Sequence, residues 1–215
     1  MHIPDGLLPP SIAISGYAVT GGLTWFSLRQ IKRNPDYQQE IPKASLLTAV
    51  FFVSSLIHIP IPPFSIHLIL NGLMGIILDY FAFPAVLTGL FFQAVFFQHG
   101  GLSTLGVNAV IMGLPVFIAS YLSFLSQTKL FKHLWTKNVL FFLIGALTLF
   151  FSASIFVLIT VTNISPDLNV KMEQTAIFSS LIPYGFQAII EGIITVMVIS
   201  FLLRVKPEIL PPSKI

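Results

Sequence analysis

The 215-residue sequence contains no cysteine. That excludes disulfides and every thiolate metal site, so any metal here must be held by nitrogen or oxygen. Charge is also scarce. Asp, Glu, Lys and Arg make up 9% of the chain, where soluble domains carry about 25%. Hydrophobic residues make up 55%, and the mean hydropathy is +0.89. These values exclude a soluble domain and predict one integral membrane domain over 1–215. No basic segment precedes the first apolar run: the first charged side chain is Asp5 and the first basic one is Arg29. No signal peptide is therefore expected, and Met1 is read as the mature amino terminus. There is no G-x-x-x-x-G-K-[ST] phosphate loop, no G-x-S-x-G elbow and no HExxH. ATP hydrolysis by the phosphate-loop route is thereby excluded, and no enzyme signature replaces it.

What is present is a series of apolar runs. A spanning helix needs about 20 mostly apolar residues. The runs predict an all-α, polytopic membrane bundle of about seven helices, near 10–30, 43–59, 66–82, 84–98, 106–126, 138–161 and 176–203. The third and fourth are short and could form a re-entrant pair. The second stops at Ile59-Pro60-Ile61-Pro62-Pro63, since proline lacks a backbone donor. With the amino terminus outside, Lys171 alone of the eleven basic residues falls on the outer side. That asymmetry predicts the amino terminus out and the carboxyl terminus cytoplasmic.

The amino-terminal segment 1–9 carries the chemistry. It opens Met1-His2-Ile3-Pro4-Asp5-Gly6-Leu7. A histidine second from a free terminus can close two fused chelate rings on one ion, using the α-amine, its own amide nitrogen and its ring Nδ1. Three nitrogens then lie near one plane and leave a corner free, a geometry suited to Ni(II) and Cu(II) into which Co(II) can be drawn. The bland alternative is that His2 is an ordinary surface residue. The predicted topology brings His2, His58, His67 and His99 to the outer face and leaves His133 inside among lysines. His67 is the best fourth ligand, because it follows a rigid proline turn and neutral imidazole is the commonest protein metal ligand. His58 and His99 are second candidates.

Several stretches resemble the CbiM/NikM family, the substrate-capture subunits of cobalt and nickel energy-coupling-factor transporters. They are Met1 to Gly6, Ser65-Ile66-His67-Leu68, the run from Gln93 through His99-Gly100-Gly101 to Asn108, and Glu191-Gly192-Ile193-Ile194-Thr195. The resemblance implies a seven-helix bundle whose outer amino terminus folds back into it. It implies that the Met1 amine, the His2 amide and ring, and the His67 ring hold Co(II) or Ni(II) as transported substrate, with no resident cofactor. It also implies two ABC-type ATPases and a coupling transmembrane subunit as partners, in the cytoplasmic (inner) membrane, with any small accessory subunit a separate chain. No nucleic-acid partner is implied.

Embedded polar residues admit two readings. Asn71, Gln93 and Asn108 could orient His67, since metal-bound imidazoles usually donate their second N–H; they could equally be bonds between helices. Glu191 and Asp79 are read as structural or partner contacts. Ala18-x-x-x-Gly22 and Ser45-x-x-x-Ala49 would allow a close helix approach by a partner. Three rival functions remain at this stage. One is capture of a small vitamin, another an intramembrane enzyme using His58, His67 and His99, and the third a structural subunit.

Overall fold

The computed structural model describes residues 1–61, 64–131, 133–164 and 169–210. The amino-terminal segment runs without regular structure to α1 (Pro10–Ile31), which starts where a proline costs no helical hydrogen bond. α2 (Tyr37–Ser54) follows. Two strands, β1 (His58–Ile61) and β2 (Phe64–His67), pair antiparallel, with His58 opposite His67 and Ile59 opposite Ile66. Next come α3 (Asn71–Leu78), α4 (Ala82–Phe97) and α5 (Leu105–Ser123). The chain ends with α6 (Leu134–Thr162), α7 (Val170–Ser179) and α8 (Leu181–Val205).

Among the described residues, four stretches are long and apolar enough to cross a membrane: 71–97, 105–127, 134–162 and 170–205. The expected spans over 10–30, 106–126 and 138–161 coincide closely with helices α1, α5 and α6. The expected span over 43–59 is corrected. Its helix starts at Tyr37, ends at Ser54 and gives way to β1. The span expected over 66–82 is also corrected. Its first residues complete β2, and its helix is only eight residues long. The span expected over 176–203 is two helices with a break at Ser180. The Pro62-Pro63 turn signal lies outside the described residues.

The eight-residue α3 sits at the centre. All of its residues are buried, and it packs against α4, α5, α6 and α8. A helix that is apolar on every side suits only such a place. Its start is unusual: Leu70, with φ 57°, is left-handed, which costs a non-glycine residue roughly 1–2 kcal/mol. The Glu191 carboxylate on α8 offsets that cost by accepting hydrogen bonds from the amides of Ile69 (2.5 Å) and Leu70 (3.0 Å). Gln187, one turn earlier on α8, donates to the carbonyl of His67. α8 thus holds the backbone on which His67 stands. α1 crosses α5 at Gly16, where a side chain would run into the Val107 backbone. Thr20 ties the crossing by donating to the Gly106 carbonyl (2.7 Å).

Outward faces stay apolar. Trp25, Phe96, Trp135, Met197 and Phe201 are all more than half exposed. On a soluble protein this would be an interaction surface; here it faces lipid.

Candidate metal site

The amino terminus is docked inside the protein. Met1 and Ile3 are buried, Ile3 among the most completely buried large side chains of the chain. Burial of each contributes roughly 1.5–3 kcal/mol. Asn108 on α5 grips the Ile3 backbone from both sides, accepting from its N–H (2.9 Å) and donating to its C=O (3.0 Å). The Thr104 hydroxyl donates to the same carbonyl (2.6 Å). Two residues on, the Asp5 carboxylate accepts from the amides of Ser103 (2.8 Å) and Leu102 (3.2 Å) and from the Ser103 hydroxyl. These bonds hold the Asp5 carboxyl below its usual pKa, the Ser103 hydroxyl contributing most. Gly101 explains part of the His99-Gly100-Gly101 sequence. A Cβ there would overlap the Asp5 carboxylate, so only glycine lets the terminus lie down.

Docking sets His2 beside His67 and His99. Each residue offers one ligand atom, and the three atoms lie within 4.8 Å of one another. The ring centroids are 5.4 Å apart for His2–His67 and His67–His99, and 4.1 Å for His2–His99. Gln93, on α4 and fully buried, sets the His2 tautomer. Its amide nitrogen donates to the Ser55 hydroxyl (2.5 Å), which leaves its oxygen facing His2 Nε2 at 3.0 Å. His2 therefore donates from Nε2 and keeps a lone pair on Nδ1, the atom the terminal chelate needs. Among the described residues, four buried side-chain polar atoms have no hydrogen-bond partner. Three of them are His2 Nδ1, His67 Nε2 and His99 Nε2. An unpaired buried polar atom costs about 1–3 kcal/mol, so three in one cluster mark a place built for a ligand.

Burial also disfavours charge on the nitrogens of this cluster. Burial lowers the Met1 amine from 8.0 to about 5. Burial, and then the neighbouring amine charge, depress His2 well below its usual value and His67 to about 3. His99 is lowered by the same causes in the same order. Neutral amine and imidazole nitrogens are the forms that bind metal.

Of the sequence-predicted residues, the structure brings together Met1, His2, His67, His99 and Gln93. His58 stands at the rim. It is exposed, its Nδ1 is bonded to the Leu56 carbonyl (2.9 Å), and its ring lies 5.5 Å from that of His67. Asn71 does not orient His67; its amide donates to the Ser152 hydroxyl (2.7 Å) and tethers α3 to α6. Ser55, Thr104 and the anchoring role of Asp5 were not foreseen. Ser103-Thr104, one residue beyond the paired glycines, is the sequence signal that pointed to Thr104 and to the Asp5 anchor; Ser55 had none.

The sequence matches the family model described as cobalt uptake substrate-specific transmembrane region over residues 2–209. The chain belongs to the CbiM family. A protein of Haemophilus influenzae, whose name assigns it to metal transport, is 36% identical over 146 residues, 68% of this chain and 67% of its own length. The cobalt transport protein CbiM of Clostridium tetani is 30% identical, over 95% of this chain and 85% of its own. The fused nickel transport protein NikMN of Rhodobacter capsulatus is 33% identical over 52% of this chain, and the match spans only 33% of that longer protein. A crystal structure of a truncated transition metal transporter shares the fold with a TM-score of 0.71 at 20% identity, over 95% of this chain and 99% of its own. CbiM membership and the four apolar helices make the chain a multi-pass protein of the cytoplasmic (inner) membrane.

Proposed function

We propose that the chain is the substrate-capture subunit of an energy-coupling-factor transporter and takes up Co(II) or Ni(II). The ion is held by four nitrogens: the Met1 amine, the His2 amide, His2 Nδ1 and His67 Nε2. The observation that carries this reading is the docked terminus, which leaves His2 Nδ1 and His67 Nε2 buried and unpaired in one cluster of histidine ligand atoms within 4.8 Å. A metal-free vitamin site would not need a buried terminal amine. An intramembrane enzyme built on His58, His67 and His99 would need those three imidazoles to converge, whereas it is His2 whose ligand atom joins those of His67 and His99 within 4.8 Å.

In this reading the energy comes from two ABC-type ATPases through a coupling transmembrane subunit, in keeping with the lack of a phosphate loop in this sequence. The fused relatives NikMN and CbiMQ, which join further transport components to a chain like this one, support such an assembly. The ion enters from outside, closes the chelate and fixes the terminus over the His67 hairpin. Reorientation driven by the ATPases then opens the site inward. The test is Ni(II) binding to the purified chain. A yellow, diamagnetic, planar complex is expected, and His67→Ala should remove its fourth corner and weaken binding by at least about tenfold. Equal binding by His67→Ala, or a paramagnetic six-coordinate ion, would overturn the assignment.

A further inference from the structure

Resting on that reading, we infer that His99 is a fifth, axial ligand that makes the site five-coordinate for Co(II) and thereby favours cobalt over nickel. Three observations converge on His99. Its Nε2 is buried with no partner among the described residues. Its ligand atom belongs to the group of three that lie within 4.8 Å of one another. Its ring stands across the others: 88° to His67 and 61° to His2, while His2 and His67 lie 36° apart. The fused chelate forces the His2 ring close to the plane of the four nitrogens. An imidazole that stands steeply to that plane, with its ring centroid 4.1 Å from that of His2 and its Nε2 unpaired, has the inclination an axial ligand to an ion held there would need.

The backbone fixes this approach. α4 ends at the left-handed Gln98, φ 50°, and the His99 amide donates back to the Gln93 carbonyl (3.1 Å). Gly100 then passes under His2, where a Cβ would lie 3.5 Å from its ring and 3.1 Å from the Asn108 amide. One short stretch thus supplies Gln93 to orient His2 and His99 to stand over it.

The electronic consequence follows from d-electron counts. Planar low-spin Ni(II) has eight d electrons and a filled axial orbital, which repels a fifth donor. Low-spin Co(II) has seven, and its half-filled axial orbital binds one strongly. Cu(II), which raw affinity would otherwise favour, binds an axial nitrogen only weakly. An axial imidazole therefore adds affinity chiefly for cobalt.

The test is electron paramagnetic resonance of the full chain, with its native amino terminus, loaded with Co(II) in the absence of dioxygen. A low-spin signal is expected whose cobalt hyperfine lines are each split into three by one axial nitrogen. His99→Ala should abolish the splitting. Since merely orienting partners of metal ligands are worth about 10–100-fold, it should weaken Co(II) by at least about tenfold. Ni(II) should stay within about threefold, which also shows that the variant is folded, and added imidazole should restore the splitting. Splitting that persists in His99→Ala, or equal losses for both metals, would overturn the axial role and leave the four-nitrogen site standing. A native chain with no low-spin signal would overturn the planar chelate and the axial ligand together.

Discussion

At the scale of single residues, capture depends on keeping nitrogens neutral and the terminus seated. The Met1 amine is lowered to about 5 in its docked place, against about 7.7–8.0 when free in water. Between those values the undocked terminus binds a proton that the docked one does not. Docking is therefore fully favoured above pH 8, weakens as pH falls through that window, and loses nothing further from this group below pH 5. Metal affinity should decline over the same range. At pH 7 the docked amine is already neutral, so each ion should displace about one proton, that of the His2 amide. Calorimetry in buffers of different ionisation enthalpy measures that number, and a value near two would mean that the terminus is undocked before the metal binds. Asn108→Ala leaves the Ile3 N–H buried without its acceptor, a loss of about 1–3 kcal/mol. Ni(II) and Co(II) should both bind more weakly by roughly 10–100-fold. Unchanged affinity in equilibrium dialysis would show that the Asn108 clamp is dispensable.

At the scale of elements, the site is a meeting of three pieces: the terminus, the β1–β2 hairpin and the α4–α5 turn. Glu191 secures the second piece through the Ile69 and Leu70 amides. Glu191→Ala should lower the thermal midpoint, since each abandoned amide costs about 1–3 kcal/mol, and should weaken metal binding by loosening the backbone below His67. Glu191→Gln, which keeps one acceptor, should do less on both measures. Gly101→Ala should abolish metal binding while circular dichroism stays native, because its Cβ collides with Asp5; Gly22→Ala, which meets open space, should do nothing. The chemistry of these pieces was legible in the sequence, because His2, His67 and His99 each sit beside a marker: a terminus, a proline turn and paired glycines. The hairpin was not legible. Ile59, Ile61 and Ile66 continue the apolar runs on either side, and two four-residue strands leave no period to distinguish them from helix ends. The break at Asp79, φ 49°, was equally silent, because a left-handed aspartate has no compositional mark. Asn71 misled for another reason. One turn from His67 along a helix it would face the imidazole, but the left-handed Leu70 between them turns it toward Ser152.

At the scale of the whole molecule, the basic asymmetry carries the proposal that the amino terminus lies outside. That orientation would expose Lys171 to the exterior and Lys129 to the cytoplasm. The absence of cysteine makes this directly measurable. In whole cells an impermeant maleimide should label Lys171→Cys and spare Lys129→Cys until the membrane is opened; the reverse pattern would invert the topology. Capture by the molecule as a whole rests on one claim, that its own first amine is a metal ligand. The most direct measurement compares Co(II) and Ni(II) binding by the purified chain with a free Met1 against the same chain carrying one additional residue before it. Loss of both metals on extension, with thermal stability of the metal-free protein retained, is the predicted result. Undiminished binding by the extended chain would contradict it and move the ligands to the histidines alone.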